Sequence, residues 1–227
     1  MSARSSVLCC ALMALAPARA RADVARFKAT HGASVQALAQ LGSPRVVRWR
    51  VGQPTPSVVR GLDLPTTGDD ANQRALGFVA RHPALVGTTE LVPLETRSTR
   101  GRAVVRLQQR HRGVPVLDAT VTVALDRAGH VRALHSSTRL VTLKTVEPRL
   151  APGEAVRIAA RGAGTTGHAT LAIDGGTGEG RLVYVVSLPF TADPAGRRHL
   201  IDARTGAYLG WRVGVVLDGR TWKEVGR

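Results

Sequence analysis

Residues 102–133 read RAVVRLQQRHRGVPVLDATVTVALDRAGHVRA, and the fold is decided there. From Arg102 to Arg110, Ala103, Val105 and Leu107 alternate with Arg106 and Gln108. A period of two puts every second side chain on one face of a strand. Thr120 to Leu125 repeats the pattern, with Val121, Val123 and Leu125 on one face. Between them, Gly113-Val-Pro-Val116 reads as a turn into an edge, because proline cannot donate to a ladder. Asp126 to Gly129 makes a hairpin turn, and Val131 and Ala133 begin the returning strand. The segment therefore predicts an antiparallel sheet.

Working outward, Asp70 with Gln73 three residues on predicts a helix start of the capping-box kind. Ala71, Ala75, Leu76, Phe78 and Val79 give the helix an apolar face, and Pro83 stops it. Upstream, residues 23–67 read as a loose N-terminal arm. Its one strand alternates Val47, Trp49 and Val51 with Arg48 and Arg50, and Gly52 to Pro56 ends it. Downstream, Lys144 to Pro148 marks a boundary. Pro152 then suits the first helical position and Glu154 the first turn, with Ala155, Ile158 and Ala159 facing inward. Ala151 stands at the cap position and has no side-chain acceptor. Gly162 to Gly180 reads as a glycine-rich connector. Arg181 to Leu188 is a strand with Leu182, Tyr184, Val186 and Leu188 on one side, and Asp193 to Gly196 turns it. His199 to Asp202 continues, and Thr205-Gly206 turns again into Tyr208 to Leu217. The expected fold class is α+β, two small helix-on-antiparallel-sheet units in tandem over 68–145 and 146–213, with a C-terminal tail over 214–227.

The first 22 residues read as a secretory signal. Arg4 supplies a basic start, Val7 to Ala16 an apolar run, and Ala18, Ala20 and Ala22 a small-residue exit, with cleavage expected after Ala22. The apolar run is far shorter than the roughly 20 residues that span a bilayer. Both cysteines, Cys9 and Cys10, fall within the signal, so the mature chain is expected to hold no disulfide, thiolate-bound metal or cysteine nucleophile. A secreted or periplasmic protein follows. Losing Arg4, Arg19 and Arg21 lowers the formal charge from +16 to +13, which leaves the chain strongly basic. Only Lys28, Lys144 and Lys223 of the 32 basic residues are lysine. Arginine-rich, alanine-rich composition fits a GC-rich genome, and a large single-sign field also favours an acidic partner. Nucleic acid is a poor candidate, because the arginines are scattered through strand patterns and aromatics for stacking are few.

The sequence offers no catalytic centre. No histidine is followed by glutamate, so the H-E-x-x-H zinc motif is missing. His130 and His135 are five apart on a strand and read as surface residues on opposite sides. Asp69 and Asp70 are better explained as a helix cap than as an acid-base pair. No G-x-S-x-G is present, and Gly175-Gly-Thr-Gly178 has neither the lysine nor the helix of a phosphate loop. No catalytic, cofactor or metal residue is expected.

Three segments together carry a family likeness. Phe78-Val-Ala-Arg-His82-Pro-Ala-Leu85-Val-Gly87, Leu107-Gln-Gln-Arg-His-Arg-Gly113-Val-Pro-Val116 and Val121-x-Val-x-Leu125-Asp-x-x-Gly129 resemble the fungalysin/thermolysin propeptide domain. Leu150-Ala-Pro-Gly-Glu154-Ala155, Leu182-Val-Tyr-Val-Val and Ile201-Asp-Ala-Arg-Thr-Gly206 resemble the PepSY domain that normally follows it. The resemblance covers Thr67 to Leu209 and implies cystatin-like units, as in the propeptides of bacillolysin-type secreted zinc proteases of bacteria. It further implies a monomeric, non-catalytic chaperone and inhibitor whose partner is a thermolysin-like catalytic domain. It places partner contacts in the C-terminal part, at Trp211, Arg212 and Trp222. Two other readings stay open: a truncated or remnant zymogen, and an exported PepSY-type binding module with no protease partner.

Overall fold

The structure is a computed structural model that describes residues 18–42, 44–50, 53–162, 164, 166–176 and 179–213, with side chains from residue 29 onward. The apolar run of the expected signal, with Cys9 and Cys10, and the tail with Trp222 lie outside the described residues. In chain order the elements are α1 (Ala18–Gln40), β1 (Val46–Trp49), β2 (Pro56–Leu64), α2 (Ala71–Arg81), α3 (Pro83–Val86), β3 (Leu91–Thr99), β4 (Arg102–His111), β5 (Val114–Leu125) and β6 (Val131–Ser136). There follow α4 (Pro152–Ala159), β7 (His168–Asp174), β8 (Arg181–Ser187), β9 (Arg198–Asp202) and β10 (Tyr208–Arg212). The class is α+β, with helices laid on a large, mostly antiparallel sheet.

One sheet runs β1-β2-β6-β5-β4-β3 and is antiparallel throughout. The other runs β5-β7-β8-β9-β10, antiparallel except where β5 meets β7. β5 belongs to both. Its ladder with β4 passes from Gln108↔Thr120 directly to Arg110↔Pro115, so Val116 to Ala119 stand opposite the single residue Gln109. Asp118, at φ 56°, turns this excursion. Val116 then pairs in parallel with Ile173 of β7. The segment expected to lead into an edge thus lies inside the sheet: Pro115 has no N–H to give, but the strand around it has partners on both sides.

The excursion takes carbonyls out of the β4 ladder, and buried carbonyls need donors. Gln108 supplies them. The two N–H groups of its Nε2 are shared among the carbonyls of Val116 (2.6 Å), Ala119 (3.0 Å) and Gln109 (3.1 Å). Alternation had assigned Gln108 to the polar face, yet it is 1% exposed. Gln109, also buried, behaves as a strand surrogate: Nε2 donates to the Arg139 carbonyl and Oε1 accepts from the Arg139 N–H, both at 2.8 Å. The β4–β5 turn is held from outside by Glu90, whose carboxylate accepts from the N–H groups of Arg112 (3.0 Å) and Gly113 (3.1 Å).

The predicted helix forms as α2. Asp70 accepts from the Gln73 N–H at 2.8 Å, while Gln73 Oε1 reaches back to the Asp69 N–H at 2.9 Å. Ala75, Phe78 and Val79 enter a core with Val105, Leu107, Val121, Val123, Leu125 and Leu134. Residues expected as a loose arm instead add β2, which pairs with β6 and buries Val59 and Leu62 in this core. Ser34 of α1 bonds the carbonyls of Pro54 (3.0 Å) and Ala84 (2.6 Å), which ties the arm to α3. β2 escapes a periodicity search because Gly61, at φ 79°, breaks its alternation. A Cβ there would lie 2.7 Å from the Arg45 side chain, so only glycine fits.

The second core lies under α4 and joins Ala155, Val156 and Ala159 to Ile173, Leu182, Tyr184, Val186 and Ile201, together with Val116 and Ala119 of the excursion. Ala151 caps without a side-chain bond, as its identity requires. The segment read as a glycine-rich connector contains β7, paired with β8 from His168↔Ser187 to Asp174↔Arg181. On the other face of this sheet Leu117, Ala172, Val183, Val185 and Leu200 are buried together. Arg212 of β10 shows how. It reaches Asp174 of β7 at 2.8 Å and Asp118 of β5 at 3.3 Å, although β8 and β9 lie between in the strand order. Neighbouring strands sit roughly 4.8 Å apart in a sheet, so a flat sheet would put β10 out of reach. The twist instead curls its margins together over the cluster.

Gln108→Ala should lower unfolding free energy by about 3 kcal/mol, since buried carbonyls lose their donors. Gln108→Leu should cost as much despite its volume; urea denaturation that shows less than about 0.5 kcal/mol for both would mean that the excursion is held otherwise. Glu90 has its carboxyl held below the usual range, first by the Arg112 N–H and also by that of Gly113, against an opposing effect of burial. A lowered folded-state value adds stability that is full above the ordinary carboxylate range and is lost as pH falls through the folded-state value. Glu90→Gln should therefore flatten the acid limb of a stability–pH curve and leave the limb above neutrality unchanged.

Candidate partner-binding site

The loop from β8 to β9 is organised by one carboxylate. Asp193 accepts from the N–H of Ala195 (3.2 Å) through Oδ1 and from that of Arg197 (3.0 Å) through Oδ2, and its own N–H donates to the Pro189 carbonyl at 2.9 Å. His199 of β9 meets Asp193 Oδ2 through Nε2 at 3.1 Å and the Tyr208 hydroxyl of β10 through Nδ1 at 3.2 Å. A tautomer that donates Nε2–H to the carboxylate leaves Nδ1 to accept from the Tyr208 O–H. The Asp193 and His199 side chains are 8% and 10% exposed, so this chain of bonds is largely shielded from water.

These groups fix one wall of a groove of about 730 Å³. Ala160 and Arg161 at the end of α4 form another side, Leu188 belongs to the loop, and Tyr208 and Trp211 rise from β10. The Arg197 guanidinium lies 4.8 Å from the centre of the Trp211 ring, a cation–π arrangement. Arg161, in the left-handed region at φ 53°, ends the helix with its side chain exposed.

Of the residues singled out from sequence, Trp211 lies in this groove, half exposed at 51%. Arg212 is engaged within the chain by Asp118 and Asp174. Trp222 lies outside the described residues, and Ala22 falls in α1, where side chains are not described. Sequence reading did not single out Asp193, His199, Tyr208 or Arg197 as site residues. The turn at Asp193 was legible, but its partner is not: a strand histidine six residues on meets the carboxylate only because the loop folds back.

His130 and His135 have separate partners. His135 faces Arg60 of β2, its Nε2 being 3.3 Å from the guanidinium, and burial followed by the Arg60 charge pushes its pKa down. His130 bonds Asp63 at 2.7 Å. Asp63, Asp126 and His130 bring ligand-type atoms within 4.8 Å of one another. Arg132 is already there, 2.7 Å from Asp63 and 3.7 Å from Asp126, so a guanidinium offsets part of the carboxylate charge. The His130 hydrogen bond, ahead of Arg132, holds Asp63 below the usual carboxylate range. The geometry is that of an exposed ion-pair network.

The fold defines a helix-on-sheet protein in which both sheets are built on one shared strand. Residues 90–138 match the Fungalysin/Thermolysin Propeptide Motif, a span that starts at the Glu90 clamp and runs through β3, β4, β5 and β6. Among solved structures the chain is similar to the Bacillus megaterium YpeB C-terminal domain, at 14% identity and a TM-score of 0.39, over 84% of this chain and 97% of that one. No curated protein matches it.

Asp193→Ala should raise the hydrogen-exchange rates of the Ala195 and Arg197 amides by about tenfold or more, since each loses its acceptor. The Val123 amide in the other sheet should be unaffected. Equal exchange at Ala195 before and after the substitution would show that the loop is held without the carboxylate.

Proposed function

We propose that this chain is an exported, propeptide-like chaperone and inhibitor of a thermolysin-like zinc metalloprotease catalytic domain, met in trans or within one precursor. The motif match over 90–138 carries this reading. The matched strands form the β3–β6 block into which α2 packs, and a propeptide must fold on its own to present a template. The chain works by binding, not by bond chemistry: its sequence has no H-E-x-x-H, and among the described residues Asp70, Asp193 and Asp63 serve a cap, a turn and an ion pair. No helix of the described residues is long and apolar enough to cross a membrane.

Contacts to the partner are assigned to the C-terminal part, at Trp211, Arg212 and Trp222. Trp211 has the exposure for direct contact, and Arg212 holds β10 in place through its two ion pairs. A positive chain, of formal charge +13 once Arg4, Arg19 and Arg21 leave with the expected signal, is steered toward an acidic catalytic domain, which raises the association rate more than the final affinity.

The test is refolding of a denatured thermolysin-like catalytic domain with and without this chain, with activity assayed before and after the chain is digested. The expected result is a higher yield of folded protease, silent until digestion. An unchanged yield together with undiminished activity at micromolar chain concentration would defeat the proposal.

A further inference from the structure

β10 is the last strand of its sheet: among the described residues, nothing pairs with its outer side. The unpaired N–H and C=O groups of such an edge form a template for another strand, and native edges are commonly blunted by lysine, proline or inward charge. The sequence of β10, Tyr208-Leu-Gly-Trp-Arg212, has neither lysine nor proline; its inward charge, Arg212, lies at the end of the strand, and the register shift between Tyr208 and Gly210 leaves Gly210 to Arg212 as the regular stretch. Two of its three groove-lining residues are aromatic. Tyr208, Gly210 and Trp211 line the groove, and an added Cβ at Gly210 would meet nothing within 4 Å, which leaves a gap in the wall beside Trp211.

Exposed aromatic surface concentrates here. Among the described residues the exposed large aromatics are Phe190 (74%), Tyr208 (45%) and Trp211 (51%). Phe190 sits in the loop between the groove residues Leu188 and Thr191. Aromatics beside arginine are the composition of binding hot spots, where apolar anchors fill a pocket and charges at the rim select the partner.

The charge of the groove selects the occupant. Its one carboxylate, Asp193, is buried and consumed by His199 and two backbone amides. Its cations are Arg161 and Arg197, and among the described ion pairs neither has a carboxylate partner.

We infer that the groove beside β10 takes an extended acidic segment of a partner protein, added as a further strand to the β10 edge. Main-chain hydrogen bonds to β10 hold it in register, alternate side chains fall onto Tyr208 and Trp211, and its carboxylates meet Arg161 and Arg197. This mode of recognition does not depend on the partner being a protease, so it can fail while the proposed function stands, and the reverse.

The probe is a capped octapeptide in which glutamate alternates with valine or leucine, titrated into the full chain by calorimetry. A lysine counterpart and a version with a central proline serve as comparisons. The acidic peptide should bind with a dissociation constant below about 100 μM. Trp211→Ala, and Arg161→Glu combined with Arg197→Glu, should each weaken binding at least tenfold with unchanged circular dichroism. The proline peptide should bind at least tenfold more weakly, because it removes a ladder donor. Equal binding of the lysine peptide, or no heat from the acidic peptide at millimolar concentration, would overturn the inference. So would a chain ending at Val213 that binds tenfold more tightly, since the chain's own C-terminal segment would then be the occupant. Sedimentation with phosphatidylglycerol vesicles that the peptide does not reduce, and that the same substitutions abolish, would assign the surface to a membrane instead.

Discussion

Both cores draw on β5, the strand four of whose residues leave the β4 ladder. Val116 and Ala119 pack under α4, Leu117 enters the cluster on the opposite face, and Val121 begins the run that fills the core under α2. A strand can serve two sheets only if the backbone groups freed at the crossing are satisfied inside the protein, where water cannot reach them. Gln108 meets that constraint with the two N–H groups of one amide shared among three carbonyls. Its own Oε1 is left buried without a partner, so the arrangement costs something even as it holds.

The same dependence explains how the second unit persists with weak local signals. Its helix α4 has eight residues and no side-chain cap, below the length at which an isolated helix is stable. Tertiary packing compensates, and part of that packing comes from Val114, Val116 and Ala119, which the β3–β6 block supplies. The curl closed by Arg212 adds a second buried face without a second helix. An ion pair with side chains 38% and 22% exposed contributes little by itself. Its worth lies in fixing where β10 ends relative to β7, which brings Leu209 against Leu200 and its neighbours.

How much of this was legible follows from which interactions are local. Strands β4, β5 and β6 and helices α2 and α4 were readable because period, caps and turns are written within a few residues of one another. The sharing of β5 was not, since Gln108 looks like any polar strand residue until the carbonyls of Val116 and Ala119 are placed beside it. β2 and β7 were hidden by their glycines, Gly61 inside the first and the Gly162–Gly180 context of the second. Glycine weakens a strand signal whether it marks a connector or a close approach. At the candidate site Trp211 was found through a family likeness. The Asp193–His199–Tyr208 chain joins a loop and two strands, and no spacing rule announces it.

That chain of hydrogen bonds bears on binding as well as on folding. A groove walled by a free loop would have to order nine or ten residues when a partner arrives, at a cost of roughly 1 kcal/mol or more for each backbone unit fixed. Here the loop is already pinned by Asp193 to its own amides and to His199, and His199 to Tyr208 on the edge strand. The wall and the edge are therefore joined by a continuous chain of hydrogen bonds. Trp211 needs little further ordering, because Arg197 already stacks on it. Exposed aromatics on an unanchored loop would be an aggregation hazard, whereas aromatics on a hydrogen-bonded, positively charged rim favour an acidic partner. Preorganisation and charge together turn an exposed edge into a selective surface.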